Sequence, residues 1–317
     1  MYRIGIDIGG TFVKAGVVAE DYSILGRASR PTGIGRPLET VIDDIAGTAR
    51  DAVAAAGLTM ENIAVVGAGC PGTCNPDTGE VEYSNNLRFE NVPLVTELSR
   101  RLGKPVYIQN DANAAVLGEA LAGAARGVKN CVVVTLGTGV GAGVLIDGKI
   151  FSGANFAGAE LGHTVIKMDG EECTCGRYGC WEVYASVTAL IRQTKRAMAE
   201  FPETRMWEVS PMIDDVNGRT AFDAMRLGDS VASRVVKQYI RYIACGLVDI
   251  INTFQPEMLC IGGAISKEGE TLLAPLREYV EKERYSKHSK RQTELRRALL
   301  GNDAGIIGAA FLDTMEH

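Results

Sequence analysis

No apolar run in this sequence is long enough to cross a membrane as a helix. The richest candidate, Cys131 to Ile146, is broken by glycines and threonines and falls short of the roughly 20 apolar residues a spanning helix needs. A signal peptide is missing too: the opening MYRIGIDIGG lacks a charged n-region and meets Asp7 where an unbroken apolar stretch would have to run. Cationic excess is absent, with 33 Lys and Arg against 39 Asp and Glu and a net charge of -6. A phosphate-backbone binder needs the opposite sign over one face. Low-complexity linkers and charge runs are also lacking, so composition marks no domain boundary. These absences predict a cytoplasmic protein with neither a membrane nor a nucleic-acid partner.

What is present is a chain of 317 residues, 46% hydrophobic and with 37 glycines, enough for one large globular unit or two lobes of ordinary size. The segment Ile4 to Thr11 alternates apolar residues, turns at Gly9-Gly10, and resumes with Val13, Ala15, Val17 and Val18, which reads as a β-hairpin. A similar pattern returns at Val132 to Ile146, about 130 residues later. That spacing is far too long for a solenoid and predicts two lobes of similar build with a cleft between them. Between and after the repeats, the spacing predicts helices over Pro37 to Ala56, Val92 to Leu102, Ala112 to Ala125, Trp181 to Phe201, Arg234 to Phe254 and Ala304 to Met315. Strands are expected at Ala64 to Gly69, Val106 to Gln109 and Met258 to Ile261, and Met206 to Gly218 reads as a polar interruption. Alternation of this kind indicates an α/β architecture.

Three glycine turns offer phosphate sites. In Asp7-Ile8-Gly9-Gly10-Thr11 the backbone can approach an anion closely, and the Thr11 hydroxyl can donate to phosphate oxygens. Asp7 could hold Mg²⁺ through water, and Lys14 adds positive charge. Gly137-Thr138-Gly139 repeats the offer, and Gly262-Gly263 gives a third close approach after a strand. One such turn alone is ordinarily a plain hairpin turn; three in an α/β chain point to nucleotide binding. The spacing is neither a Walker loop, since no G-K-[ST] follows, nor a Rossmann fingerprint, since a hairpin follows the glycines.

Asn110-Asp111 falls after a short strand and before a helix, at the carboxyl end where α/β ligand sites gather. A carboxylate there can take the proton of an attacking hydroxyl, and Asn110 can hold a neighbouring hydroxyl; Asp111 as a plain helix cap is the alternative at this stage. His163, Cys173, Cys175 and Cys180 lie within eighteen residues, a ligand set suited to tetrahedral Zn²⁺ in a closed structural site. Disulfide pairing and unliganded reduced cysteines are the rival readings. If zinc takes one ring nitrogen of His163, the metal fixes the ring and leaves the other nitrogen for a ligand. The same knuckle would bring Glu160 and Glu182 near His163, so that two carboxylates and an imidazole face vicinal hydroxyls. His288 and His317 receive no role.

Together these residues resemble the ROK family of repressors and kinases, within the actin, hexokinase and heat-shock-protein superfamily, and most of all its bacterial glucokinases. The likeness spans the chain through Asp7-Ile-Gly-Gly-Thr11, Gly69-Cys-Pro-Gly72, Asn110-Asp-Ala-Asn113, Leu136-Gly-Thr-Gly139, Glu160-Leu-Gly-His163, Cys173-Thr-Cys-Gly176, Cys180-Trp-Glu182 and Ile261-Gly-Gly263. The resemblance implies a two-lobed actin-like or hexokinase-like (ribonuclease H-like) ATPase fold. Its smaller lobe would hold residues 1–112, completed by a C-terminal helix at 304–317, and its larger lobe residues 113–303 with the zinc knuckle. It implies ATP-dependent phosphorylation of a hexose, glucose to glucose 6-phosphate first of all. Asp111 would be the base, with Gly72, Asn86, Asn110, Glu160, His163 and Glu182 around the sugar. Gly9, Gly10, Thr11, Thr138, Gly262 and Gly263 would line the ATP site, Mg²⁺ would accompany ATP, and His163, Cys173, Cys175 and Cys180 would hold zinc. A homodimer or homotetramer is also implied.

Two departures from the family pattern are visible. Phe12 stands where a lysine often follows the first threonine, with Lys14 two positions later, and Ala264 stands where a third glycine is common. Other acceptors known in the family, among them fructose, mannose and N-acetylmannosamine, and polyphosphate as donor, are not separated by spacing. Rival classes are a sugar-binding regulator without a DNA-binding domain, an actin- or chaperone-type ATPase, and a glycosidase.

Overall fold

The protein is described by a computed structural model over residues 1–315; Glu316 and His317, part of the expected C-terminal segment, lie outside the described residues. The chain opens with β1 (Tyr2–Ile8), β2 (Phe12–Val18), β3 (Ile24–Pro31), α1 (Leu38–Ala55) and β4 (Ile63–Cys70). Three short strands follow, β5 (Thr73–Asn75), β6 (Glu80–Ser84) and β7 (Phe89–Val92), then α2 (Leu94–Leu102), β8 (Val106–Asn110) and α3 (Asp111–Ala122). The second half brings β9 (Cys131–Leu136), β10 (Val140–Ile146), β11 (Lys149–Ile150), α4 (Glu182–Ala185), α5 (Val187–Glu200), α6 (Met206–Val209) and α7 (Thr220–Arg226). It ends with α8 (Ser230–Phe254), β12 (Met258–Gly262), α9 (Glu270–Glu283), β13 (Glu294–Arg297) and α10 (Asp303–Ala310).

The internal repeat in the sequence corresponds to two five-stranded sheets of the same order, β3-β2-β1-β4-β8 and β11-β10-β9-β12-β13. In the first, β1 pairs antiparallel with β2 and parallel with β4, and β4 pairs parallel with β8. The α/β architecture expected from the alternation is therefore present. The chain divides into two compact units, one holding 1–133, 143–159 and 298 onward, the other 134–142 and 160–297. The division differs from the expected boundary at 112, since α3 belongs with the first unit.

The reason lies in α10, which packs on β1, β4 and α3. Gly5 and Gly67 leave their strands without side chains where the backbone of α10 crosses; a Cβ on either would overlap the carbonyl of Ile306 or Ala309. Gly308 makes the same close approach to the carbonyl of Ala114 on α3. Val18, Ile306, Ile307, Ala310 and Phe311 form the buried cluster behind this contact. On α1 the apolar residues fall three and four apart, at Val41, Ile42, Ile45, Ala49, Ala52 and Val53, and all are buried in the cluster containing β1 and β4. Among the described residues no helix is long and apolar enough to cross a membrane.

Several elements differ from the sequence expectation. The helix expected over Trp181 to Phe201 breaks at Ser186, whose side chain caps α5 by accepting the Ala189 N–H at 3.1 Å. The final helix stops at Ala310 and gives way to a single tight turn, Leu312–Thr314. The supposed polar interruption contains α6, which buries Met206 completely. The small sheet β5-β6-β7 has strands of three to five residues, too short to show a period. Helix α9 carries Pro275 within a charged stretch, and its tertiary contacts outweigh that local preference.

Candidate active site

In the first unit, Asp7, next to the last residue of β1, lies directly opposite Lys14 on β2, with the ammonium 3.7 Å from the carboxylate. Burial pushes the Asp7 carboxyl above its ordinary range, and Lys14 works against that. The turn closes by Gly9 N–H donating to the Phe12 carbonyl at 2.9 Å. A Cβ added to Gly10 would lie 3.9 Å from the Asn86 Cβ, so Asn86 neighbours the hairpin although 76 positions separate them in the chain.

Asn110 and Asp111 sit at the junction of β8 and α3. Asn110 is the cap of α3: its Oδ1 accepts the N–H of Ala112 at 2.9 Å and of Asn113 at 3.2 Å. Its Nδ2 donates to the Gly72 carbonyl at 3.1 Å. The capping duty that the sequence left open for Asp111 thus falls on its neighbour, and Asp111 takes the first helical position, its Oδ1 accepting the Ala112 N–H at 2.9 Å. Gly72 has a left-handed backbone, φ 105°, and a Cβ there would overlap the Tyr83 carbonyl. Behind Asp111 lie two buried thiols. Cys74 beside it, burial, and the Asp111 charge together drive the Cys70 thiol well above its usual range.

Two side chains that sequence reasoning passed over hold this junction from beneath. Gln109 and Asn113 are buried; Gln109 Oε1 accepts the Asn110 N–H at 2.8 Å and the Asn113 amide at 3.2 Å. The only sequence signal for them is a pair of amides four apart around Asn110-Asp111, visible once the strand-to-helix junction is known.

In the second unit, the hairpin at Gly137-Thr138-Gly139 meets the segment that begins with Glu182. Glu182 Oε2 accepts the Val140 N–H at 2.9 Å, and a Cβ on Gly139 would overlap that carboxylate. Glu160, Leu161, Gly162 and His163 form a tight turn closed by the His163 N–H on the Glu160 carbonyl at 3.0 Å. Gly162 lies so close to the Val140 carbonyl that no side chain fits there. The turn and the hairpin are therefore in direct contact, and Glu160, His163 and Glu182 interact electrostatically. Desolvation raises the Glu160 carboxyl above its ordinary range, His163 opposes this, and the Glu182 charge adds to it. Gly263, after β12, has φ 85° and packs against the Leu136 carbonyl.

Beside Gly263 opens a cavity of about 580 Å³ lined by Val187, Gly218, Arg219, Arg226, Ile265 and Glu268, among others. Its size suits a small ligand. Arg226 is held by Glu268 and, at 2.7 Å, by Asp223. None of these residue types is diagnostic by itself, so only the fold could assemble them.

The ligand atoms of His163, Cys173, Cys175 and Cys180 all lie within 4.8 Å of one another. Cys175 Sγ is 3.6 Å from Cys180 Sγ, and Cys173 Sγ is 3.5 Å from His163 Nδ1. Edges of a tetrahedron around a cation with metal–sulfur bonds of about 2.3 Å would measure roughly 3.8 Å, so the four residues fit a zinc ion. Burial and the facing sulfurs push the Cys180 thiol up to about 12, whereas a cation among them would favour thiolates. None of the eight cysteines is joined in a disulfide, in contrast to the disulfide alternative.

A duplicated five-stranded sheet, a glycine hairpin in each copy and an acidic residue at a strand's carboxyl end define a sugar-kinase-like α/β protein. The chain belongs to the ROK family, whose model matches residues 3–315. It is 39% identical to the glucokinase of Thermotoga maritima over 97% of this chain and 95% of that protein. The xylose repressor of Caldicellulosiruptor bescii is 32% identical over 87% of this chain and 69% of its own length. Among solved structures, a ROK family glucokinase from Streptomyces griseus in complex with glucose and AMPPNP superposes with a TM-score of 0.83 at 34% identity, covering 98% of this chain and 99% of that one.

Proposed function

We propose that this protein transfers the γ-phosphoryl group of ATP to a hydroxyl of a hexose, with glucose as the first acceptor to test. The observation that carries the reading is the placement of Asp111 at the head of α3, directly after the carboxyl end of β8 and beside the Asn110 cap. Support comes from the similarity to glucokinases over nearly the whole chain. Asp111 accepts the proton of the attacking hydroxyl as its oxygen bonds to the γ-phosphorus and the bond to the bridging β–γ oxygen breaks. The hairpins at Gly9-Gly10-Thr11 and Gly137-Thr138-Gly139 donate backbone N–H groups to the phosphates, with Asp7 and Lys14 beside the first. Mg²⁺ accompanying ATP, with Asp7 to hold it through water, would supply neutralisation of the developing charge. Glu160, His163 and Glu182 accept from and donate to sugar hydroxyls, with Gly72, Asn86 and Asn110 shaping the acceptor side, and the cavity beside Gly262, Gly263 and Ala264 takes the adenosine.

His163, Cys173, Cys175 and Cys180 would hold zinc, which would fix the orientation of the His163 ring and leave its other nitrogen for the sugar. The enzyme would work in the cytosol, in keeping with cysteines that form no disulfide, as a homodimer or homotetramer. An ADP-coupled assay over glucose, fructose, mannose and N-acetylmannosamine, with ATP and polyphosphate as donors, tests acceptor and donor together. Asp111→Asn is expected to keep glucose binding in calorimetry while turnover falls by several orders of magnitude. Near-normal turnover in that variant would remove Asp111 from the role.

A further inference from the structure

Each glycine hairpin is held from outside by a threonine that belongs to none of the phosphate motifs. In the first unit the Thr32 hydroxyl donates to the Gly9 carbonyl at 2.6 Å, and the Thr32 N–H donates to the Thr11 carbonyl at 2.9 Å. In the second unit the Thr188 hydroxyl, in the first turn of α5, donates to the Thr138 carbonyl at 2.8 Å, and the neighbouring Val187 N–H donates to the Gly137 carbonyl at 2.8 Å. Among the described residues no peptide bond is cis, and a trans peptide points its C=O and the following N–H in opposite directions. Pinning the Gly9 carbonyl on Thr32 therefore turns the Gly10 N–H away from Thr32. Pinning the Gly137 and Thr138 carbonyls on the start of α5 turns two successive N–H groups, of Thr138 and Gly139, away from that helix. Consecutive amides facing one way are the backbone arrangement that receives phosphate oxygens.

We propose that Thr32 and Thr188 are positioning residues for the nucleotide: neither touches the ligand, and each fixes the direction of the hairpin amides that do. Glycine hairpins are otherwise free to turn their peptide planes, and ordering them at the moment of binding costs affinity. Glu182, on the preceding short helix α4, also holds the Val140 N–H, so the second hairpin is gripped at three points, Gly137, Thr138 and Val140. The inference rests on the nucleotide-binding reading above, and its test separates the two.

Thr188→Val removes the hydroxyl, keeps the side-chain shape, and lies on an exposed position, where water takes over the Thr138 carbonyl. Calorimetric titration with the magnesium complex of a non-hydrolysable ATP analogue should show affinity weakened about three- to tenfold, the usual worth of one hydrogen bond. The affinity for glucose and the thermal midpoint should stay at the wild-type values, and Thr188→Ser should restore nucleotide affinity. In turnover the KM for ATP should rise while the KM for glucose does not. Thr32→Val and Thr32→Ser repeat the comparison at the buried brace, where stranding the Gly9 carbonyl should lower stability as well. Unchanged analogue affinity in Thr188→Val, or equal weakening in Thr188→Ser, overturns the brace while leaving the kinase reading intact. Wild-type protein that binds no analogue would bring down the nucleotide reading and the brace with it.

Discussion

Asn110 and Asp111 illustrate how adjacent residues of similar shape divide two duties. Asn110 satisfies the orphan N–H groups of Ala112 and Asn113, and the Asp111 carboxylate shares only the first of them. Glu160 is the residue whose charge the fold resists. Its folded-state pKa lies above the unfolded one, so the folded chain keeps the proton to higher pH than the unfolded chain does. Stability therefore falls as pH rises through that window, and the penalty persists above it. Glu160→Gln is expected to melt at a higher temperature than the wild type at pH 7, with the gap narrowing toward about pH 4. A gap that is the same at both pH values would assign it to packing instead. Asp7 is shifted the same way for the same leading cause, and Asp7→Asn should show the same trend.

At the scale of elements, the close approach of α10 to β1, β4 and α3 depends on missing side chains. Gly308→Ala would ordinarily favour a helix by about 1 kcal/mol. Here the added methyl meets the Ala114 carbonyl, and such overpacking costs about 1–3 kcal/mol, so the net expectation is a less stable protein in denaturant titration. A variant as stable as the wild type would mean that α10 can withdraw from α3 freely. The knuckle from His163 to Cys180 is the second element with a measurable dependence. Metal analysis should find one zinc per chain, and Cys175→Ser should lower both the zinc content and the thermal midpoint, since the site's binding energy is part of the folding energy. Retention of full zinc by that variant would exclude Cys175 as a ligand.

For the whole molecule, binding of the acceptor should appear as stability. A ligand at a hundred times its Kd stabilises a folded protein by about 2.7 kcal/mol, so saturating glucose should raise the melting temperature, and a hexose that is not a substrate should raise it less. The chain's alternation of apolar segments, its repeated hairpin pattern and its Cys/His spacing were enough to indicate an α/β protein with two related sheets and a four-ligand cluster, because periodicity and close spacing are local properties. The small β5-β6-β7 sheet, the break at Ser186 and helix α9 were not legible, since short strands have no period and Pro275 argues against a helix that tertiary contacts nevertheless support. Gln109, Asn113, Thr32 and Thr188 were equally silent: common residues gain a duty only when folding brings an unsatisfied carbonyl or N–H within reach. Sequence alone determined which residue types the chain brings to its candidate sites, in Asp111, the glycine hairpins and the Cys/His cluster. Only the tertiary structure decided how those groups are aimed, because direction is set by hydrogen bonds between residues as distant as Gly9 and Thr32 or Thr138 and Thr188.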